Sequence, residues 1–84
     1  MDIRDVLAAN LRRHRKSAGL SQEELAHRAQ VDRTYISALE RSVYAAGIDV
    51  VDRLAKELNI EAADLLLRQS PGARSVQSPP PRKS

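Results

Sequence analysis

"LSQEELAHRAQVDRTYISALE", residues 20–40, reads as two short helices with a break between them. Ser21 and Glu24 stand in the S-x-x-E spacing of a capping box just ahead of apolar Leu25, which opens a helix running to about Ala29. Asp32 is a natural N-cap for the next helix, which ends near Arg41. Leu25, Ala26 and Ala29 are the apolar members of the first; Val31, Ile36 and Leu39 serve the second. Ala26 is small enough to let two helices cross closely. Three residues, "QVD", separate the pair, the length that a helix-turn-helix requires.

The polar residues of the second helix fall together. Arg33, Thr34, Ser37 and Ala38 lie opposite Ile36 and Leu39, with Arg33 and Thr34 in the first turn. A helix of this kind, N-terminal end forward, fits the DNA major groove and brings first-turn side chains to base edges.

Working outward, Ile3, Val6, Leu7, Leu11 and His14 recur at helical spacing and predict a first helix over about residues 2–17, closed by Gly19. Gly47 marks a turn and Asp49 stands near the start of a fourth helix, whose apolar stripe is Ile48, Val51, Leu54, Ala55 and Leu58. "IEAADLLLRQ" supplies a short fifth helix. All are too short to be stable alone and must pack on one another. The fold class is all-α: a five-helix bundle over residues 1–69, with an aliphatic core that lacks Phe and Trp. From Ser70 the chain is Pro, Ser, Gly and cations, too poor in apolar residues to offset chain entropy, so residues 70–84 are expected to be a disordered Pro/Ser/basic tail.

The 84 residues carry a net charge of +3, but the surplus lies in Arg74, Arg82 and Lys83. Residues 1–69 hold 11 basic and 11 acidic side chains, so charge alone says little about a polyanionic partner. With no cysteine there is neither a disulfide framework nor a Cys-ligated zinc. His14 and His27 show no metal-ligand spacing, so no metal or other cofactor is expected. Capping accounts for Ser21 and Glu24, which leaves no nucleophile–base pair and no case for an enzyme. No apolar run approaches the roughly 18–20 residues of a membrane span. The opening "MDIRDVLAAN" is not a secretory signal, and a cytoplasmic protein follows by default.

"GLSQEELAHRAQVDRTYISALER" followed by "RLAKELNIEAADLL" closely resembles the phage repressor and Cro family of helix-turn-helix DNA-binding domains, the lambda repressor-like, Xre-like group, over about residues 7–67. The resemblance implies a sequence-specific transcriptional regulator of double-stranded DNA, a homodimer on a palindromic operator, with residues 32–41 as recognition helix. It also implies that Gln22 bonds a DNA phosphate, that Arg33, Thr34, Ser37 and Ala38 face bases or nearby backbone, and that Arg15 and Glu40 join the first helix to the end of the third. Two departures stand out. Where many members have a glycine at the position of Ser42, then cations and a proline near position 46, this chain has "SVYAAG". Gln30 stands where glycine commonly fills the turn, and a left-handed Gln there costs about 1 kcal/mol.

Each of these residues also has a plainer reading. Arg33 either pairs with guanine O6 and N7 or is a solvated arginine at a helix start. Thr34 and Ser37 either contact DNA or are ordinary solvated hydroxyls, and Ala38 either touches a thymine methyl or merely favours helix. Arg28 and Arg41 are candidate phosphate contacts. Tyr35 reaches the backbone through its hydroxyl or simply packs. The "RRHRK" run at 12–16 spreads around its helix and reads as a solvated surface with Arg15 paired to Glu40. Val43, Tyr44 and Ala45 are either a sticky turn or a dimerisation surface. The competing function is a protein-interaction or antitoxin-type module that keeps the fold but binds DNA weakly or not at all. No small-molecule ligand is evident on either reading.

Overall fold

The computed structural model describes residues 2–68. The reading of a disordered segment over 70–84 lies outside them. Five helices follow in order: α1 (Ile3–Ser17), α2 (Gln22–Ala29), α3 (Arg33–Glu40), α4 (Ile48–Leu58) and α5 (Ala62–Leu65). The described residues form helices and turns only. α5 is a four-residue turn of helix within the longer apolar stretch, and Leu66 and Leu67 emerge from it exposed.

Each helix starts where a side chain meets its unpaired N–H groups, α4 excepted. Ser21 and Glu24 form the reciprocal capping box of α2, and Asp32 accepts from the Thr34 N–H at 3.4 Å to open α3. α1 has a box of its own, built from Asp2 and Asp5, a D-x-x-D spacing that sequence reading passed over. Gly47 is the N-cap of α4 and Asp49 lies in its first turn, as read, but no side chain caps that helix.

Four helix ends close alike. After α1, the Gly19 N–H donates to Lys16 O and the Leu20 N–H to Arg15 O, at 3.0 and 3.1 Å, with Gly19 left-handed at φ +75°. Gln30, Ser42 and Asn59 repeat that turn after α2, α3 and α4, each at φ 62°. The long-reach bonds there run from Val31 to Ala26, Val43 to Ala38 and Ile60 to Ala55, each 2.9 Å. This Schellman closure satisfies the last carbonyls and folds the chain back within a few residues. Gln30 is therefore strained as its sequence position implied, and Ser42, also left-handed, shares the strain.

Leu7, Leu11, Leu25, Ala26, Ala29, Ile36, Leu39, Val51, Leu54, Ala55, Leu58 and Leu65 make one core. Val6 is buried but outside that cluster, Val31 is partly buried against it, and Ile3 and Ile48, expected on apolar stripes, reach the surface instead. Ile3 is 46% exposed and Ile48 81% exposed. Both keep the helical phase of their buried neighbours, but each begins its helix and projects past the end of the core. Asn10 ties the C-terminal end down: its buried Nδ2 donates to Leu65 O and Leu67 O at 3.0 and 2.9 Å, and its Oδ1 accepts from Arg13 at 2.7 Å.

Gln30→Gly should relieve the left-handed strain and raise stability by about 1 kcal/mol, or about 4–8 °C in Tm for a domain of this size. Asn59→Gly should gain much less, because Asn already tolerates that region. Thermal unfolding by circular dichroism compares the two. A Gln30→Gly variant that melts lower than the parent contradicts the assignment.

Candidate nucleic-acid interface

α2 and α3 pack on one another through Leu25, Ala26, Ala29, Ile36 and Leu39, with Leu25, Ala29, Ile36 and Leu39 fully buried. α1 braces α3 from behind. With Ile36 and Leu39 sealed, the other side of α3 turns outward. Arg33 and Thr34, at its leading end, are exposed, and Ser37 is half-buried beside them. Among the described residues, neither Arg33 nor Arg41 has an ion pair or a side-chain hydrogen bond. A guanidinium at a helix N-terminus meets the unfavourable end of the macrodipole, so Arg33 is a cation held where an external anion or acceptor would be welcome.

For Ala38 the plainer of its two readings, a residue that merely favours helix, is the one its burial supports. It is only 4% exposed and cannot meet a thymine methyl. Helical pitch does put it one turn beyond Thr34, on the outward side. The left-handed turn at Ser42 brings the Val43 N–H back onto Ala38 O. Tyr35 is half-buried, its ring 6.3 Å from that of Tyr44 in a tilted arrangement. Arg28 and Arg41 are exposed. At the start of α2, hydrogen bonds from the Ser21 backbone and side chain hold the Glu24 carboxyl below the ordinary glutamate range, with a smaller contribution from the charge of Arg28.

The ends of three helices meet at Glu40, the last residue of α3. Its Oε2 accepts from Arg15 Nε at 2.7 Å and its Oε1 from Arg15 Nη2 at 3.0 Å, a two-pronged pair whose side chains are 3% and 11% exposed respectively. Gln22 Nε2 donates to the same Oε1 at 3.0 Å. Arg15 Nη1 also donates to Leu20 O at 2.9 Å, and Arg12 Nη2 donates to the backbone carbonyl of Glu40 at 3.2 Å. The bonds from Glu40 raise Arg15 above the ordinary arginine range, against the opposing effect of burial. A carboxylate at a helix C-terminus is otherwise disfavoured; here cations from α1 offset that. The basic run at 12–16 is a solvated surface with Arg15 alone buried against Glu40: Arg12, Arg13 and Lys16 are exposed, although Arg12 and Arg13 each also donate one hydrogen bond within the molecule. The link from Gln22 to Glu40 had no signal in the sequence.

The loop that follows α3 presents apolar surface. Val43 is 50% and Tyr44 54% exposed, and Ala45 is exposed next to them. Ala45, Ala46 and Ile48 line a shallow groove of about 200 Å³ with Ile3, Leu7 and Leu66. No helix among the described residues is long and apolar enough to cross a membrane.

Two short helices joined by three residues, the second bearing exposed polar groups on its first turn, define a helix-turn-helix protein. The helix-turn-helix family model matches residues 11–65, and the chain belongs to that family, whose members are DNA-binding transcription regulators and not enzymes. The Neisseria hypothetical transcription factor of Neisseria meningitidis is 44% identical over 66 residues, covering 79% of this chain but only 62% of that protein. This chain therefore spans less than two thirds of that relative's length. Control protein C.SmaI of Serratia marcescens is 42% identical over 69 residues, covering 82% of each chain. The crystal structure of hypothetical transcription factor NHTF from Neisseria superimposes with a TM-score of 0.76 at 44% identity, over 79% of this chain and 76% of that one.

Arg15→Met alone should cost about 3–5 kcal/mol, because it strands the Glu40 carboxylate in the interior. Replacing both partners, Arg15→Met with Glu40→Leu, should recover most of that loss. Denaturant unfolding of the single and double variants checks it. A double variant as unstable as the sum of its parts contradicts the reading.

Proposed function

We propose that the protein binds double-stranded DNA sequence-specifically as a homodimer and regulates transcription, with α3 in the major groove. The observation that carries this is the two-sidedness of α3: Ile36 and Leu39 are sealed in the core while Arg33 and Thr34 stand exposed at its leading end. Arg33 pairs with a guanine through O6 and N7. Thr34 and Ser37 reach base edges or the adjoining sugar-phosphate. Gln22, at the start of α2, takes a phosphate with the help of that helix's free N–H groups. Arg28, Arg41 and the Tyr35 hydroxyl are further backbone contacts on the same side.

The apolar loop of Val43, Tyr44 and Ala45 and the neighbouring exposed Ile3, Ile48, Leu66 and Leu67 form the surface on which a second copy docks. A two-fold dimer reads two inverted half-sites about 10 bp apart. The protein works in the cytoplasm, on the nucleoid.

Arg33→Ala should cost about 1–3 kcal/mol at one base pair and relax discrimination there, whereas Gln22→Ala should weaken binding evenly across sequences. Competition binding against single-base variants of the preferred site separates the two. Unchanged base preference in Arg33→Ala overturns the assignment of α3. The exposed apolar surface also suits a module that only binds protein, and a salt titration on random duplex distinguishes that reading: no affinity even at low salt would favour it.

A further inference from the structure

Gln22 is not a free side chain waiting at the protein surface. Its Nε2 lies 3.0 Å from Glu40 Oε1, and the Glu40 side chain is 3% exposed. Both Glu40 oxygens also accept from Arg15, so both act as acceptors. The Gln22 amide must therefore turn its NH₂ inward, since the reverse orientation would set its oxygen against a carboxylate oxygen. An amide nitrogen carries two N–H donors. One is held by Glu40, and the other is left to a partner outside the pair. Beside it, the backbone N–H groups of Gln22 and Glu23 open α2 and have no carbonyl one turn back.

We propose that Glu40 is a positioning residue for the phosphate contact of Gln22: it fixes the amide with one N–H presented to the DNA backbone before any DNA arrives. This rests on the function proposed above and adds a mechanical link to it. Glu40 is the last residue of the recognition helix and Gln22 the first of the helix before it. The group that grips phosphate and the helix that reads bases are thereby locked to one side chain, so the phosphate grip sets the register of α3 in the groove. Arg15 balances the Glu40 charge, which keeps the approaching phosphate from meeting a bare carboxylate.

The test uses the Arg15→Met/Glu40→Leu pair, which removes the acceptor while keeping the site filled. Ordering a flexible side chain at an interface is worth about three- to tenfold in affinity. The double variant should lose about that factor for its preferred duplex. In a Gln22→Ala background the same pair of changes should have no further effect on affinity. A purely structural role for Glu40 would weaken both backgrounds alike, and that result overturns the proposal. Should the double variant fail to fold, NMR relaxation of the Gln22 side-chain amide in the unaltered protein decides it, with exposed Gln30 as internal reference. Gln22 should be rigid and Gln30 mobile; equal mobility overturns the proposal. A rigid Gln22 in a protein without affinity for any duplex would instead refute the DNA-binding reading, and the phosphate role with it.

Discussion

The Glu40 carboxylate is the constraint to which the rest of the molecule answers. α2 and α3 have eight residues each, too short to hold themselves, and α1 is the long helix that braces α3. Aliphatic packing brings the three together, but packing alone tolerates rotation and sliding. A buried carboxylate does not. It must be met by Arg15 from α1 and by Gln22 from α2, at fixed angles, or its desolvation is uncompensated. The pair is therefore better understood as fixing geometry than as a source of net stability. A recognition helix needs that geometry, because contacts on base edges fail with small displacements.

The left-handed helix ends serve the same purpose at the level of the chain. Gly19, Gln30, Ser42 and Asn59 each turn the backbone sharply at a helix end, so that the chain folds back within a few residues. Only the first is glycine. The other three carry a conformational penalty that the closing hydrogen bonds and the core offset.

Much of this was legible in the sequence, because capping and periodicity are local. Ser21 with Glu24, Asp32, Gly19 and the "QVD" spacing place α1 to α3 almost to the residue. The misses share a cause: each depends on where a distant or returning segment lies. Pitch puts Ala38 beside Thr34 on the outward side, yet in the fold it is only 4% exposed. Ile48 is in phase with Val51, yet the core ends before it. Arg12 and Arg13 are surface cations as read, but their acceptors, the Glu40 carbonyl and Asn10 Oδ1, lie beyond any local pattern for the first and within one turn for the second. The hydrogen bond from Gln22 to Glu40 spans 18 positions and two helices, beyond any local pattern.

The central claim is that this fixed triangle of helices presents one helix end to a DNA groove, twice, through a two-fold dimer. Selection of bound duplexes from a random-sequence pool tests it most directly. The account predicts a recovered consensus of two inverted half-sites about one helical turn apart, with a guanine at the position facing Arg33. Recovery of sequences with no common element would contradict it.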